Sequence, residues 1–520
     1  YTWNAPNVEI TGTAAASATV GAHSYTVTAT GNCGATTTQG VITIAGELFS
    51  MVTETVSDTS DSLSFNVYFT GTLYIDWGDG TTGTYTTGGQ KKHFYTDGAP
   101  AHTVTAQART VTRLDSYANE LTALDVTKCT SLTYLACTYN LLTELDVTKN
   151  TALISLYCFY NQQLAALDVT KCTALTTLSC YTCKLAALDV TKNTALTYLN
   201  CGGNQLAELD VTKNTALTYL VCGTNQLTSL DVTKNTAATY LVCSYNQLSS
   251  LDVKKNTALT RLDCGFNQLT SLDVTKNTAA TYLSCSYNQL ASLDVSQNTA
   301  LTTLGCNNNL LSELNVDANT ELITLNCSSN PLGELKISYN TKLKTLYCYG
   351  NQLSVLDISN NPALTQLQCQ SNQLAALNIS LHTALTELQC GDNPLDTLDI
   401  SHNLALTTLQ CRNLQLTDLD VSQHTALTVL NCAGNELTAL NVSNNTALTS
   451  LRCSFNQLTA TALNDLFGTL YNIPDIPDIP DIIQTIYIRD NPRSGTGAGA
   501  GTAGCNPSLA VGWTVNTTEY

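Results

Sequence analysis

The chain has 520 residues, of which 43% are hydrophobic and 12% are charged, and its net charge is −18. This length predicts either roughly two to four domains or an extended repeat array. The low charge content argues against disorder, and 22 basic residues against 40 acidic ones argue against nucleic-acid binding. No stretch approaches the roughly 18 consecutive apolar residues of a membrane span.

The first 110 residues are rich in Thr, Val and Gly and lack a helical period, which predicts β-structure. Residues 25–34 (YTVTATGNCG) are similar to the last strands of an immunoglobulin-like module. Residues 1–46 are too few for the usual sandwich of about 100 residues. We therefore expect a partial immunoglobulin-like module at residues 1–46.

Residues 47–110 carry a second predicted β-sandwich. Its segments IDWGDG at 75–80, HFY at 93–95 and HTVTA at 102–106 resemble a PKD domain, an immunoglobulin-like module of surface proteins. Asp79 and His93 leave two interpretations open: a metal site, or a turn beside a packed aromatic edge. The second interpretation is favoured, because a fold resemblance does not establish a site.

Most cysteines of the chain occupy one position of an internal repeat. Sixteen of the 21 recur every 21 residues, with a single step of 22. They are Cys137, Cys158, Cys180, Cys201, Cys222, Cys243, Cys264, Cys285, Cys306, Cys327, Cys348, Cys369, Cys390, Cys411, Cys432 and Cys453. A fixed period of this length predicts a stacked repeat architecture.

One repeat is LTYLVCGTNQLTSLDVTKNTA, at 217–237. The pattern LxxLxCxxNxLxxLDVxxNTA resembles the leucine-rich repeat, with Cys at the position of the third Leu. The resemblance implies a leucine-rich repeat solenoid, a ladder of parallel β-strands, over residues 111–491. Leu220 and Cys222 are predicted to point inward, and Asn225 to satisfy backbone groups of neighbouring turns. Leu414 replaces this Asn in one turn and predicts a local irregularity there.

The two ends of the array depart from the repeat, as caps do. Residues 111–119 and 483–491 fit the frame with Ser and Ile in place of Cys, which gives about 18 turns in all. The period breaks at 457–482, where a predicted short helix precedes a threefold Ile-Pro-Asp run. Residues 492–520 are predicted to form a C-terminal cap.

Outward positions of the strands vary between repeats and are candidates for binding. In the early turns they are rich in Tyr, which offers a rigid apolar face with a polar tip. In the later turns they become amides. The candidate binding residues are Tyr134, Tyr157, Tyr160, Tyr198, Tyr219, Tyr240, Tyr245, Tyr282, Tyr287, Gln368, Gln389 and Gln410. The alternative interpretation is that these Tyr residues are present only because Tyr is favoured in β-strands, and that they have no role in binding.

Asp and Lys of the LDVTK segment also recur in register, as at Asp146 and Lys149. Repulsion between stacked Asp predicts either Lys pairing or Asp side chains that cap local turns. Calcium along this ladder is a weak alternative, since the Gly-rich turns usual between such acids are missing. No other cofactor is predicted. The inward cysteines are predicted to be buried free thiols, not disulfides or metal ligands.

Immunoglobulin-like and PKD-like modules followed by LDVxxNTALTxLxCxxNQL repeats resemble large secreted surface proteins of Bacteroidetes-type bacteria. The resemblance implies an extracellular or cell-surface protein that binds or adheres through the strand-lined face, with a protein or a glycan as partner.

Two alternatives to this function stay open. One is a section of an extracellular fibre that self-associates through its β-modules, because an incomplete sandwich accepts a strand from a neighbour. A carbohydrate-active enzyme is weaker, since no nucleophile elbow, phosphate loop, dinucleotide fingerprint or metal-ligand His spacing is present. No catalytic residue and no metal ligand is therefore predicted.

Overall fold

The computed structural model describes residues 21–31, 34–44, 46–54, 62–470, 484–488, 510 and 513–516, with the backbone alone at 21–31, 34–44, 54, 484, 487, 513, 515 and 516. The chain divides into two compact units, residues 1–247 and residues 248–520. In the first unit, β1 (Gly21–Gly31) pairs antiparallel with β2 (Gly34–Ile44). The immunoglobulin-like assignment of residues 1–46 stays a prediction, because residues 1–20 lie outside the described residues.

Two antiparallel sheets follow in the first unit. Their strands are β3 (Glu47–Glu54), β4 (Ser62–Thr70), β5 (Leu73–Asp76), β6 (Thr82–Tyr85), β7 (Gly89–Phe94), β8 (Ala101–Ala108), β9 (Thr110–Asp115) and β10 (Leu121–Asp125). One sheet has the order β10-β3-β8-β5-β6, and β4 joins β7 to β9 in the other. Phe49 of one sheet and Phe65 of the other meet edge to face at 5.8 Å. The arrangement is a β-sandwich with an aromatic core; its PKD-like assignment stays a prediction.

The sandwich shares two strands with the first turn of the repeat array. Strand β9 pairs antiparallel with β4 and in parallel with β11 (Tyr134–Ala136), while β10 pairs antiparallel with β3. Glu47, which is 8% exposed, fastens this junction. Its carboxylate accepts hydrogen bonds from the Val111 amide, from the Ser131 amide at 2.6 Å and from the Thr130 hydroxyl at 3.2 Å. The sandwich therefore covers the backbone groups that would otherwise lie open at this end.

The repeats form a parallel β-solenoid with one three-residue strand per turn. In the first unit the remaining strands are β12 (Ser155–Tyr157), β13 (Thr177–Ser179), β14 (Tyr198–Asn200), β15 (Tyr219–Val221) and β16 (Tyr240–Val242). In the second unit they are β17 (Arg261–Asp263), β18 (Tyr282–Ser284), β19 (Thr303–Gly305), β20 (Thr324–Asn326), β21 (Thr345–Tyr347), β22 (Gln366–Gln368), β23 (Glu387–Gln389), β24 (Thr408–Gln410), β25 (Val429–Asn431) and β26 (Ser450–Arg452). These sixteen strands, six and ten in the two units, confirm the predicted solenoid of parallel β-strands.

Each turn contributes the same inward side chains to the core. In the turn of β15, Leu217, Leu220, Cys222, Leu227 and Val232 are each at most 1% exposed. Full burial of one Leu or Val side chain stabilises the fold by about 1.5–3 kcal/mol. One turn cannot cover its own apolar face, so this energy is realised only when turns stack.

The predicted Asn ladder is present and serves neighbouring turns. The side-chain Nδ2 of Asn225 donates to the carbonyls of Cys201 at 3.1 Å and Cys222 at 3.0 Å, and its Oδ1 accepts from the Leu206 amide at 3.0 Å. Each ladder Asn thus satisfies buried backbone groups of its own turn and of the turn before it.

Leu414 disturbs this ladder less than the sequence suggests. The strands on either side keep their register, and the Cys411 carbonyl keeps a donor, Nδ2 of Asn435 at 2.9 Å. The local change is at Gln415, which adopts a left-handed φ of 65°. Leu414 itself is completely buried, so apolar contact replaces the missing amide.

A second buried Asn ladder runs through the NTA segment, and the sequence analysis did not predict it. Asn214 donates Nδ2 to the carbonyls of Val190 and Asn193, both at 2.9 Å, while its buried Oδ1 has no hydrogen-bond partner among the described residues. His382 and His424 occupy the same position, each with Nε2 on a carbonyl and a buried, unpartnered Nδ1. The imidazole thus makes one of the two carbonyl hydrogen bonds that Asn makes at this position.

The array ends with the predicted helix and two short strands. Helix α1 (Ala460–Thr469) begins after Thr459, whose hydroxyl accepts from the Ala462 amide at 3.2 Å. It buries Leu463, Leu466 and Phe467. Strand β27 (Gln484–Tyr487) pairs in parallel with β26 and with β28 (Trp513–Asn516). Within the described ranges, no helix is long and apolar enough to cross a bilayer.

Candidate functional site

The candidate binding residues fall into three rows along the strands. The first row holds the residue before the inward Leu, the second holds the residue after it, and the third lies two residues after the ladder Cys. Tyr134, Tyr198, Tyr219, Tyr240 and Tyr282 belong to the first row, Tyr157, Gln368, Gln389 and Gln410 to the second, and Tyr160, Tyr245 and Tyr287 to the third. The structure therefore separates side chains that the sequence analysis grouped as one face.

The first row forms a tyrosine stack in the first unit. Tyr219 lies between Tyr198 at 4.5 Å and Tyr240 at 4.3 Å, and the ring planes differ by only 7° and 15°. All three rings are half-buried, and burial raises the pKa of Tyr219 above its ordinary value. Because the two neighbouring rings cover both faces of Tyr219 and the inner faces of Tyr198 and Tyr240, the middle of the stack presents ring edges and hydroxyl groups to a partner.

Strands β11–β16 carry no charged residue at any position. Their outward side chains are Tyr, Ala, Ser, Thr, Asn and Val. A partner that docks here meets an apolar and hydroxyl-bearing surface, so its binding depends on shape and hydrogen bonds more than on charge.

A second group of rings, the aromatic cluster, adjoins the stack in the first unit. It comprises Tyr139, Phe159, Tyr160 and Tyr181. Tyr139 stacks on Tyr160 at 4.3 Å, and Phe159 stacks on Tyr181 at 4.4 Å. Tyr139 is 43% exposed. Large aromatic side chains with such exposure are enriched in protein interfaces.

The third row is held in an unusual backbone conformation. Tyr160, Tyr245 and Tyr287 have φ of 56°, 55° and 54°. The left-handed region costs an L-residue about 1–2 kcal/mol, and the turn adopts it in repeat after repeat whatever the side chain. This turn projects Tyr245 and Tyr287 into solvent, where they are 52% and 45% exposed.

Two arginines cover tyrosines of the first row, which the sequence analysis missed. The Arg113 guanidinium lies 3.7 Å from the ring centre of Tyr134, and that of Arg261 lies 3.6 Å from Tyr282. Such cation–π contacts contribute about 0.5–2 kcal/mol. The signal was present in the sequence, since both arginines stand where most repeats have Tyr or Thr.

The amide residues of the second unit are engaged with one carboxylate, which sequence reasoning also missed. Glu387 accepts hydrogen bonds from Nε2 of Gln389 at 2.7 Å, of Gln368 at 2.9 Å and of Gln366 at 3.2 Å. Gln366 in turn accepts from the Tyr347 hydroxyl at 3.2 Å. This glutamate network orders Gln368 and Gln389, whereas Gln410 lies half-buried on the next strand.

The aspartate ladder caps local turns. Asp146 Oδ1 accepts from the Thr148 amide at 2.8 Å and from its hydroxyl at 2.7 Å. The hydroxyl of the residue two positions later holds the pKa of eight ladder aspartates below the usual range. They are Asp146, Asp168, Asp210, Asp231, Asp273, Asp294, Asp399 and Asp420. No group of three or more His, Cys, Asp or Glu in the described part of the chain is placed to hold a metal ion.

His93 and Asp79 form a packed pair in the sandwich. Nε2 of His93 lies 2.6 Å from the Asp79 carboxylate, and its ring stacks on Trp77 at 4.9 Å. Asp79 also accepts from the Thr81 hydroxyl, and this bond, with His93, lowers its pKa. The pair thus fastens the tight turn to a neighbouring strand.

The nineteen cysteines that the structure describes are free thiols, and the sixteen repeat cysteines are buried, as predicted. Eighteen are buried and one, Cys183, is half-buried. Burial raises the pKa of Cys201 to about 12 and that of Cys172 to about 11. Cys33 and Cys505 lie outside the residues whose side chains are described.

Comparison with known structures agrees with this architecture. The functional domain of InlJ from Listeria monocytogenes, which includes a cysteine ladder, is 36% identical, with 68% of this chain and 76% of that chain covered and a TM-score of 0.60. The chain therefore belongs to the leucine-rich repeat family.

More distant structures share the fold. The leucine-rich repeat protein LIC12759 of Leptospira interrogans is 19% identical, covering 74% of this chain and 95% of that chain, with a TM-score of 0.56. The leucine-rich repeat ectodomain of the Arabidopsis thaliana receptor kinase GASSHO1/SCHENGEN3 is 20% identical, covering 71% and 51%, with a TM-score of 0.59. No protein-family model and no curated protein matches the chain.

Proposed function

We propose that the chain is an extracellular or cell-surface binding protein whose strand-lined face in the first unit binds another protein. The observation that carries this proposal is the tyrosine stack on strands β14–β16, whose own residues, like those of β11–β13, are all uncharged. Ordered, half-buried tyrosines lose little conformational entropy when a partner docks, so they suit a binding surface.

The ring geometry favours a protein over a glycan as the partner. Sugar rings dock on exposed aromatic faces, but both faces of Tyr219 and the inner faces of Tyr198 and Tyr240 are covered by neighbouring rings. Their edges and hydroxyls suit the mixed apolar and amide surface of a polypeptide. The ectodomain of GASSHO1/SCHENGEN3, which shares the fold, was solved in complex with CASPARIAN STRIP INTEGRITY FACTOR 2, and this precedent supports protein binding by the architecture.

The test is selection of ligands on the full chain from a displayed random peptide library, together with a glycan array. The variant replaces Tyr198, Tyr219 and Tyr240 by Thr, the residue that later repeats carry at this strand position. Tyr339→Thr is the matched control, since Tyr339 is 60% exposed but lies away from the strands.

We expect peptides that bind the wild type and the control equally and the triple variant at least tenfold more weakly. Their affinity should change little with salt, because strands β11–β16 are uncharged. Peptides that bind the triple variant as tightly as the wild type would contradict the proposed surface. If sugars on the array bind selectively and no peptide is selected from the library, the partner is a glycan and not a protein.

A further inference from the structure

The outward side chains of strands β21–β24 form an amide face in the second unit. They are four glutamines, two threonines, Tyr347 and Glu387, and all of them are half-buried. No aliphatic side chain stands among them, whereas the core of a typical protein interface is apolar and rich in aromatic residues. A ligand of this face must therefore bind mainly through hydrogen bonds.

Protein contacts hold most of these amides in place. The Glu387 carboxylate accepts hydrogen bonds from three of the four glutamines. The side-chain oxygen of one of them, Gln366, also accepts from the hydroxyls of Thr345 and Tyr347, both at 3.2 Å. Side chains that are ordered in this way lose little conformational entropy when a ligand binds.

The amide face keeps hydrogen-bonding groups that the protein does not use. Within the described residues, the side chain of Gln410 makes no hydrogen bond, and the side-chain oxygen of Gln368 accepts none. The side-chain oxygen of Gln370, two residues further along, is buried and also has no partner there. Polar groups that are shielded from water in this way favour a ligand that supplies the missing bonds.

Three of the glutamines form a row across neighbouring strands. Gln368 of β22 is in register with Gln389 of β23, which is in register with Gln410 of β24. Adjacent strands lie about 4.8 Å apart, so the row presents amide groups at a regular spacing. Each amide places an N–H donor beside a carbonyl acceptor.

The chemistry of such a row matches a sugar better than a peptide. Every sugar hydroxyl both donates and accepts, so two adjacent hydroxyls of one ring can pair with the donor and the acceptor of one glutamine. An oligosaccharide repeats these hydroxyls along its length and can engage several glutamines together. A peptide backbone offers only one donor and one acceptor per residue, and this face has no apolar pocket for its side chains.

Tyr347 and Glu387 narrow the kind of sugar. Tyr347 contacts no other aromatic ring within the described residues, so no neighbouring ring covers its face as the rings of the tyrosine stack do. Glu387 has only amides as hydrogen-bond partners and forms no ion pair in the described part of the chain. Its negative charge therefore disfavours an anionic sugar.

We propose that the amide face of β21–β24 binds a neutral oligosaccharide. Gln368, Gln389 and Gln410 form its hydrogen-bonding row, and Tyr347 supplies a ring on which one sugar stacks. This site lies in the second unit and does not depend on the protein-binding surface proposed for the first unit.

The experiment probes the folded full chain with an array of neutral and anionic glycans. The affinity of the strongest neutral glycan is then measured by isothermal titration calorimetry. The variant replaces Gln368 and Gln410 by Ser, the residue that β13 and β18 carry at this strand position. Gln373→Ser is the matched control, because Gln373 is an exposed amide that lies outside the strands.

We expect the control to bind the glycan as tightly as the wild type and the double variant to bind it at least tenfold more weakly. Gln410→Ser alone should also weaken binding, and it breaks no hydrogen bond of the protein, so a disturbed glutamate network cannot explain that loss. Circular dichroism of each variant verifies that the solenoid has folded.

Four results would overturn the proposal. They are the absence of binding to any neutral glycan, preferential binding of anionic glycans, a double variant that binds as tightly as the wild type, and loss of glycan binding in the variant that replaces Tyr198, Tyr219 and Tyr240 by Thr. The last result would place the sugar on the tyrosine stack. Unchanged glycan affinity of that triple variant, together with its loss of peptide binding, would separate the two sites.

Discussion

Replacement of Asn330 by Ala is the sharpest test of how the solenoid is stabilised. Asn330 is 3% exposed and lies in the middle of the second unit. Its Nδ2 donates to the carbonyls of Cys306 at 3.1 Å and Cys327 at 2.9 Å, and its Oδ1 accepts from the Leu311 amide at 3.1 Å. Ala removes these three bonds, together with a longer one from Nδ2 to the Ser328 carbonyl at 3.2 Å, from a buried environment.

The cost divides unequally among these bonds. The Cys306 carbonyl also accepts from Asn309 and the Cys327 carbonyl from Asn351, so neither becomes unpaired. Each of these two lost bonds costs about 1 kcal/mol. The Leu311 amide has no second acceptor among the described residues, and a buried orphan donor costs about 1–3 kcal/mol. The free energy of unfolding should therefore fall by about 3–5 kcal/mol.

The measurement is urea unfolding followed by circular dichroism, with the slope of the transition compared between variants, because repeat arrays can lose cooperativity. Asn360→Ala is the matched control: Asn360 is exposed and its side chain makes no hydrogen bond within the described residues. The control should change stability by at most about 0.5 kcal/mol. A loss below about 1 kcal/mol for Asn330→Ala would refute the reasoning, since it would mean that the Leu311 amide finds another acceptor.

Three further predictions concern single side chains of the first unit. Thr224→Gly should raise the free energy of unfolding by about 1 kcal/mol, because Thr224 has a left-handed φ of 54° that glycine adopts without strain. Thr228→Gly, at an ordinary backbone position, is the control and should lower the free energy of unfolding. Equal effects of the two substitutions would show that the backbone at Thr224 is not strained. Asp210, whose pKa is lowered by the Thr212 hydroxyl, stabilises the fold above pH 4 and loses this contribution as the pH falls further. The difference in melting temperature between wild type and Asp210→Asn should therefore shrink below about pH 4, and a constant difference would speak against it. Glu47→Gln should cost about 1–3 kcal/mol in urea unfolding, since an amide cannot accept from both sides of the junction; an unchanged midpoint would exclude the fastening role.

The sequence predicted the parts of the fold that repeat, because identical turns make identical contacts. Leu220, Cys222 and Asn225 lie where the period placed them. The second Asn ladder was missed because the same segment also carries exposed Thr and Lys, which masked its buried position. His382 stands where most repeats carry this Asn, and its Nε2 keeps the hydrogen bond to the Ile358 carbonyl at 3.2 Å.

Features that depend on pairing between distant segments were not predictable. Nothing local in Glu47 shows that its carboxylate reaches residues 111 and 131. At the candidate site the rows of Tyr and Gln follow from the repeat frame, but their contacts do not. The orientation of the rings in the tyrosine stack, and the convergence of three amides on Glu387, are set by packing between neighbouring turns.

The hydrogen bonds of the Asn ladders always span the same few sequence separations, from one turn to the next. Duplication or deletion of one whole 21-residue repeat inside either unit would consequently leave every buried amide and carbonyl with its partner. Recombination between near-identical gene segments could thus lengthen or shorten the array at little cost in foldability. The aromatic cluster lies in the turns next to the sandwich, so it would keep its distance from that end while repeats are gained or lost beyond it. Related chains of different length would then share this patch and differ in how far the remainder of the surface extends.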